Sequence, residues 1–144
     1  MKEIEKILWN DRLSIGNSNL DKDHHKIIDI FNSLYDYITN GGQRDEFARI
    51  LSELTDYSKL HFGREEEYMT QFSYPKLERH KKLHKDYIYK IAMYNFNLLG
   101  YNPPNPIEII HFLKNWWEQH IMCSDHEYEN YKMENKLSGD YRRI

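Results

Sequence analysis

The sequence predicts an all-α protein, an antiparallel four-helix bundle preceded by an N-terminal arm. Apolar residues recur at helical period in four blocks, and no block sustains the alternation of a strand. Short breaks rich in Gly, Asn and Pro separate the blocks, which makes consecutive helices antiparallel neighbours. At 144 residues, 40% hydrophobic and 30% charged, the chain has room for one domain with a real core, and its composition lies outside the disordered and low-complexity classes.

The first block, residues 21–39, lines up Ile27, Ile28, Phe31, Leu34, Tyr35 and Ile38, and stops at Asn40, Gly41 and Gly42. The second, 44–72, runs through Phe47, Ile50, Leu51, Leu54, Ser58, His61, Glu65 and Met69 until Ser73, Tyr74 and Pro75 break it. The third, 76–99, carries Leu77, His80, His84, Tyr87, Ile88 and Ile91, and a Gly/Asn/Pro-rich loop follows. The fourth starts near Pro106, a residue suited to a first helical turn, and carries Ile110, Leu113, Trp117, His120, Ile121 and Tyr128. The arm before residue 21 has no long period, but Leu8, Trp9, Leu13 and Ile15 imply that it packs over the bundle.

Charge and cysteine content exclude several functions. Twenty basic and 23 acidic residues are interleaved for a net charge of -3, apart from Arg142 and Arg143 at the end, so no footprint for nucleic acid or an anionic membrane is expected. Lys2, Glu3, Glu5 and Lys6 place charge where a secretion signal needs an apolar run, and no uncharged stretch is long enough for membrane insertion; a soluble, cytoplasmic protein is expected. Cys123 is the single cysteine, which rules out an internal disulfide or a thiolate cage and reads as packing. Without a nucleophile–base pair, a phosphate loop or a zinc-protease motif, the chain is not expected to be an enzyme.

Histidine is the anomaly, at 8 of 144 residues. His61 with Glu65, and His80 with His84, are each spaced i,i+4 on one helix face and lie in line with an apolar stripe. Burial there demands a compensating partner. His24 lies in line with Ile27, Ile28 and Phe31, and His120 with Leu113, Trp117 and Ile121, so every helix aims donors at a common interior. Asp125 lies five residues after His120, about 140° round an ideal helix, so spacing alone does not select it over Glu118 or Glu127. A local π-type widening would bring Asp125 to that face. His25, His111 and His126 fall off the stripes and read as ordinary surface residues, and Trp116 and Trp117 as bundle packing.

These residues resemble the hemerythrin family, most of all its bacterial branch. The resemblance rests on His24 in Asp21-Lys22-Asp23-His24, on His61-Phe62-Gly63-Arg64-Glu65-Glu66, on Tyr74-Pro75 leading to His80 and His84, and on His120-Ile121 followed by Asp125. Trp9-Asn10-Asp11 and Ile15-Gly16 match the family's lead-in, so likeness extends over residues 8–131. Asp23 stands where many members have Gln, and Asn10 where many have Asp.

The resemblance implies an up-down-up-down bundle as one domain over residues 1–144, with arm 1–20, bundle 21–131 and tail 132–144. It implies two irons as cofactor: His80, His84 and His120 on one, His24 and His61 on the other, Glu65 and Asp125 bridging both. A solvent-derived bridge completes six positions on the first iron and leaves the second with five, so dioxygen is the implied ligand and reversible oxygen carriage, storage or sensing the implied function. On the family pattern Leu113, Trp117 and Ile121 line the oxygen pocket. Iron handling or repair, and a di-iron oxidase or peroxide-consuming enzyme, are the competing readings. Five histidines with two carboxylates favour oxygen binding, and the Glu-x-x-His pair of ferritin-like sites is absent from the sequence.

Overall fold

The computed structural model describes residues 5–135; Arg142 and Arg143 lie outside the described residues, as does most of the expected tail. Helix α1 spans Ser18–Thr39, α2 Arg44–Gln71 and α3 Leu77–Leu98. The fourth rod is continuous but has three parts: α4 (Pro106–Gln119), a π-helical segment (His120–Asp125) and α5 (His126–Glu134). Among the described residues there is no strand, and no helix is long and apolar enough to cross a membrane.

Local chemistry sets each boundary. Helix α1 begins three residues earlier than the periodicity implies, because the Asn17 side chain accepts from the N–H groups of Asn19 and Leu20, both at 3.1 Å. It ends in a left-handed Gly41 with φ of 76°, where the Gly42 amide returns to Tyr37 O at 2.7 Å and the Gly41 amide to Ile38 O at 3.2 Å. Helix α2 closes the same way with serine in the glycine position: Ser73 has φ of 52°, and the Tyr74 amide reaches Met69 O at 3.0 Å. Asn105 caps α4 through Ile107 N at 2.9 Å, and Pro106 takes the first turn.

The core is the apolar stripe of each helix: Ile27, Phe31, Leu34, Leu51, Leu54, Ile91, Leu113 and Trp117 are almost wholly buried. The arm lies over it as expected, with Leu13 and Ile15 buried and Trp9 partly buried, and Leu8 is the one exception. Leu8 is 77% exposed, and its neighbour Ile7 is buried instead. In an extended segment alternate side chains face opposite ways, and Asn32 fixes which face points inward by accepting from Ile7 N and donating to Ile7 O, each at 3.0 Å. Farther along, Asp21 accepts from the Ser14 hydroxyl and the Ile15 amide, Trp9 stacks on His25, and a ring nitrogen of His126 lies 2.9 Å from Arg12 O. His25 and His126 therefore anchor the arm.

Candidate metal centre

The seven residues singled out by sequence come together in the middle of the bundle. His24, His61, Glu65, His80, His84, His120 and Asp125 are all at most 4% exposed. Helix α1 contributes His24, α2 contributes His61 and Glu65, α3 contributes His80 and His84, and the π segment contributes both His120 and Asp125. The π turn resolves the awkward spacing on the fourth rod. Widening by one residue lets two side chains five apart point the same way, so Asp125 is buried, whereas Glu118 and Glu127 are only half-buried. Between them Ile121 is buried but Cys123 is exposed, so its reading as packing is corrected.

Two donor groups share one carboxylate. Glu65, His80, His84 and His120 form one, and His24, His61, Glu65 and Asp125 the other; in each, the ligand atoms lie within 4.8 Å of one another. Glu65 Oε1 lies 2.8 Å from His84 Nε2, 3.2 Å from His80 Nε2 and 3.6 Å from His120 Nε2. Its other oxygen lies 3.6 Å from His61 Nε2. Asp125 divides itself likewise: Oδ1 lies 3.1 Å from His120 Nε2 and 3.2 Å from His80 Nε2, and Oδ2 lies 3.1 Å from His24 Nε2. Each carboxylate thus faces a three-imidazole side with one oxygen and a two-imidazole side with the other.

Proximity here is not pairing. His24 Nδ1 and Nε2, His61 Nε2 and both Asp125 oxygens are buried without a hydrogen-bond partner, although His24 and Asp125 lie 3.1 Å apart. Orphaned buried polar atoms are costly and rare, and four of these, His24 Nε2, His61 Nε2 and the two Asp125 oxygens, belong to residues whose ligand atoms lie within 4.8 Å of one another. Imidazole nitrogens and carboxylate oxygens are donors that suit iron and other transition metals. The donor set therefore fits a cation on each side of the shared carboxylates.

The electrostatics agree. Burial alone would lower the basicity of His61, but Glu65, Asp23 and Asp125 outweigh it and push the imidazole up to about 9. His80 is pushed up to about 9 against its burial by Asp125 and Glu65, and His120 is raised by the same two carboxylates. Conversely, Glu65 is held well below the usual carboxylate range by His61, His120 and His80 despite total burial. Asp125 is lowered by His120 and His24 against both burial and Glu65. Raised basicity at His61, His80 and His120 beside lowered carboxylates marks a site whose two carboxylates call for positive charge next to them.

Around the donors the structure supplies contacts that the sequence reading left open at Asp23 and Trp117 and did not assign at Glu66, Tyr128, Phe62 and Trp116. His61 Nδ1 lies 2.9 Å from Asp23 Oδ2, and His84 Nδ1 lies 2.8 Å from Glu66 Oε2, so one imidazole on each side is backed by a carboxylate. The buried Tyr128 hydroxyl donates to Glu65 Oε2 at 2.8 Å. Phe62 stacks on His84 with ring centroids 3.8 Å apart, and Trp116, half-buried, stacks on His120 at 4.3 Å and so does more than fill the bundle. Trp117 closes over His61 and His120 at about 6 Å and donates its indole N–H to Tyr87. Asp23 and Glu66 each directly precede a ligand in sequence or follow one, which was the available signal; the aromatic stacking had none.

Comparison with known proteins places this arrangement. The model of the hemerythrin HHE cation binding domain matches residues 16–131. A bacteriohemerythrin of Clostridium acetobutylicum is 31% identical over 125 residues, covering 84% of this chain and 97% of the relative. Myohemerythrin-1 of Phascolopsis gouldii is 28% identical over 126 residues, covering 87% of this chain and 93% of the relative. A crystal structure of a leucine-to-phenylalanine mutant matches with a TM-score of 0.79 at 25% identity, over 86% of this chain and 95% of that one. With the family model matched from the end of the arm through α5, and with bundle and donor clusters agreeing, the chain belongs to the hemerythrin family.

Proposed function

We propose that this chain binds dioxygen reversibly at a pair of non-heme irons, and that its 144 residues act as one domain built round that centre. His80, His84 and His120 would hold one iron, His24 and His61 the other, with Glu65 and Asp125 shared between them. The carrying observation is the asymmetry of the donors. The side of His24 and His61 is one imidazole poorer, so the open position for a small ligand falls there. Held by these residues, a pair of ferrous ions would supply reversible two-electron chemistry to a bound small ligand.

The protein's part is to fix and to shield. Asp23 and Glu66 orient the imidazoles of His61 and His84. Ile121, Leu113, Trp117 and Phe62 exclude water; all four are at most 4% exposed, and the one polar edge among them, the Trp117 indole, is occupied by Tyr87. Two carboxylates among five imidazoles favour carriage over turnover, because fewer anionic ligands make high-valent iron less accessible.

A dry lining is testable. Ile121→Ala and Trp117→Ala should keep both irons and speed oxidation of the oxygenated protein on the order of tenfold, as loss of a metal site's outer shell does. Decay of the oxygenated absorption in air reads this directly. Unchanged decay in both variants, and in Leu113→Ala and Phe62→Ala, would contradict the oxygen-binding reading.

A further inference from the structure

We propose that Asp23 is a positioning residue that sets the redox balance of the two-histidine side, acting through His61. The inference rests on the di-iron reading above and deepens it. Asp23 is 2% exposed, and both of its oxygens are committed. Oδ2 takes the Nδ1 proton of His61 at 2.9 Å, while Oδ1 receives the Tyr57 hydroxyl at 2.8 Å and the Arg64 guanidinium at 2.5 Å. The other imidazole on this side, His24, has no partner at Nδ1, so Asp23 is the one carboxylate backing a histidine there among the described residues. On the opposite side Glu66 backs His84, but its side chain is 28% exposed against 4% for Asp23, and solvent screens it more.

A carboxylate that accepts an imidazole N–H leaves the ring a stronger donor toward metal, which favours ferric over ferrous iron. An amide at this position, as in many family members, would accept the same hydrogen bond without the charge. Arg64 works against Asp23 by drawing charge to its outer oxygen. The Arg64 side chain is 51% exposed and shares with Asp23 and Tyr57 the wall of a surface cavity of about 640 Å³. Asp23 and its outer neighbour Arg64 therefore pull the balance in opposite directions.

Opposed signs give the test. Iron-loaded proteins are poised at one fixed solution potential, and the ratio of reduced to oxidised iron is read from the absorption of the oxidised azide adduct, alongside iron content. Asp23→Asn should raise that ratio about tenfold. Arg64→Met should lower it severalfold, and in the double variant the Arg64 effect should vanish, since it acts only through the Asp23 charge. Shifts of the same sign in both single variants, or unchanged ratios with two irons bound, would overturn the inference and show that Asp23 merely supports the fold. If Asp23→Asn loses iron, Arg64→Met decides alone: a lowered ratio supports the inference, an unchanged one overturns it. A wild-type chain that takes up no iron defeats the di-iron reading itself.

Discussion

Glu65→Ala will cost the protein both irons, whereas His25→Ala and His111→Ala will keep them. Glu65 is the shared member of both donor groups, with one oxygen within 2.8–3.6 Å of three imidazoles and the other 3.6 Å from His61. Its loss removes the negative charge that balances either side and leaves buried imidazoles with little but Asp125 to face. Asp125→Ala should strip at least one iron, since its oxygens are likewise divided. Elemental analysis checks this: two irons per wild-type chain, near zero for Glu65→Ala. One metal per chain, or stoichiometric zinc after expression with ample iron, would contradict it. Loss of iron in His25→Ala but not His24→Ala would move the register of α1 by one residue.

Iron removal will lower the melting temperature, and the gap between loaded and metal-free protein will widen as pH rises from about 6.5 to 9. Ligands that bind only the folded state at about a thousand times their dissociation constant add roughly 4 kcal/mol, so a drop of about 10 °C or more is expected for a domain this size. The pH dependence follows from the imidazoles. In the metal-free protein His61 and His80 are pushed up to about 9, above their usual value of 6.5, by the carboxylates around them. A group whose basicity is raised by folding stabilises the fold fully below its unfolded value and loses that contribution as pH climbs through the folded one. Metal-free protein therefore weakens across this window, while metal that has replaced those protons does not leave. Melting curves of both forms at pH 6.5 and 9 test this, and a gap that narrows would show that protons do not substitute for metal here.

Most of the fold and six of the seven donors were legible because burial imposes periodicity; the seventh, Asp125, came only from the family resemblance. His61 and Glu65 fall in the same stripe as Leu54 and Met69, so a polar pair in an apolar line announces a partner. Boundaries were less legible because they depend on single side chains: Asn17 starts α1 earlier than its stripe, and Asn32 sets the arm register that buries Ile7 and exposes Leu8. Asp125 could not be chosen by spacing, because a π turn alters the angle between residues and leaves no compositional mark. Cys123, read as packing, is exposed on the same turn. Asp23 was marked by its place beside His24, but that it meets His61, Tyr57 and Arg64 depends on how α1 and α2 pack.

The most direct measurement is an oxygen cycle on the reduced, iron-loaded protein. Exposure to dioxygen should produce one oxygenated absorption spectrum with one dioxygen taken up per pair of irons, and evacuation should return the reduced spectrum and the gas over repeated cycles. Oxygen consumed without release, leaving oxidised iron after a single exposure, would contradict reversible binding as the function of this site.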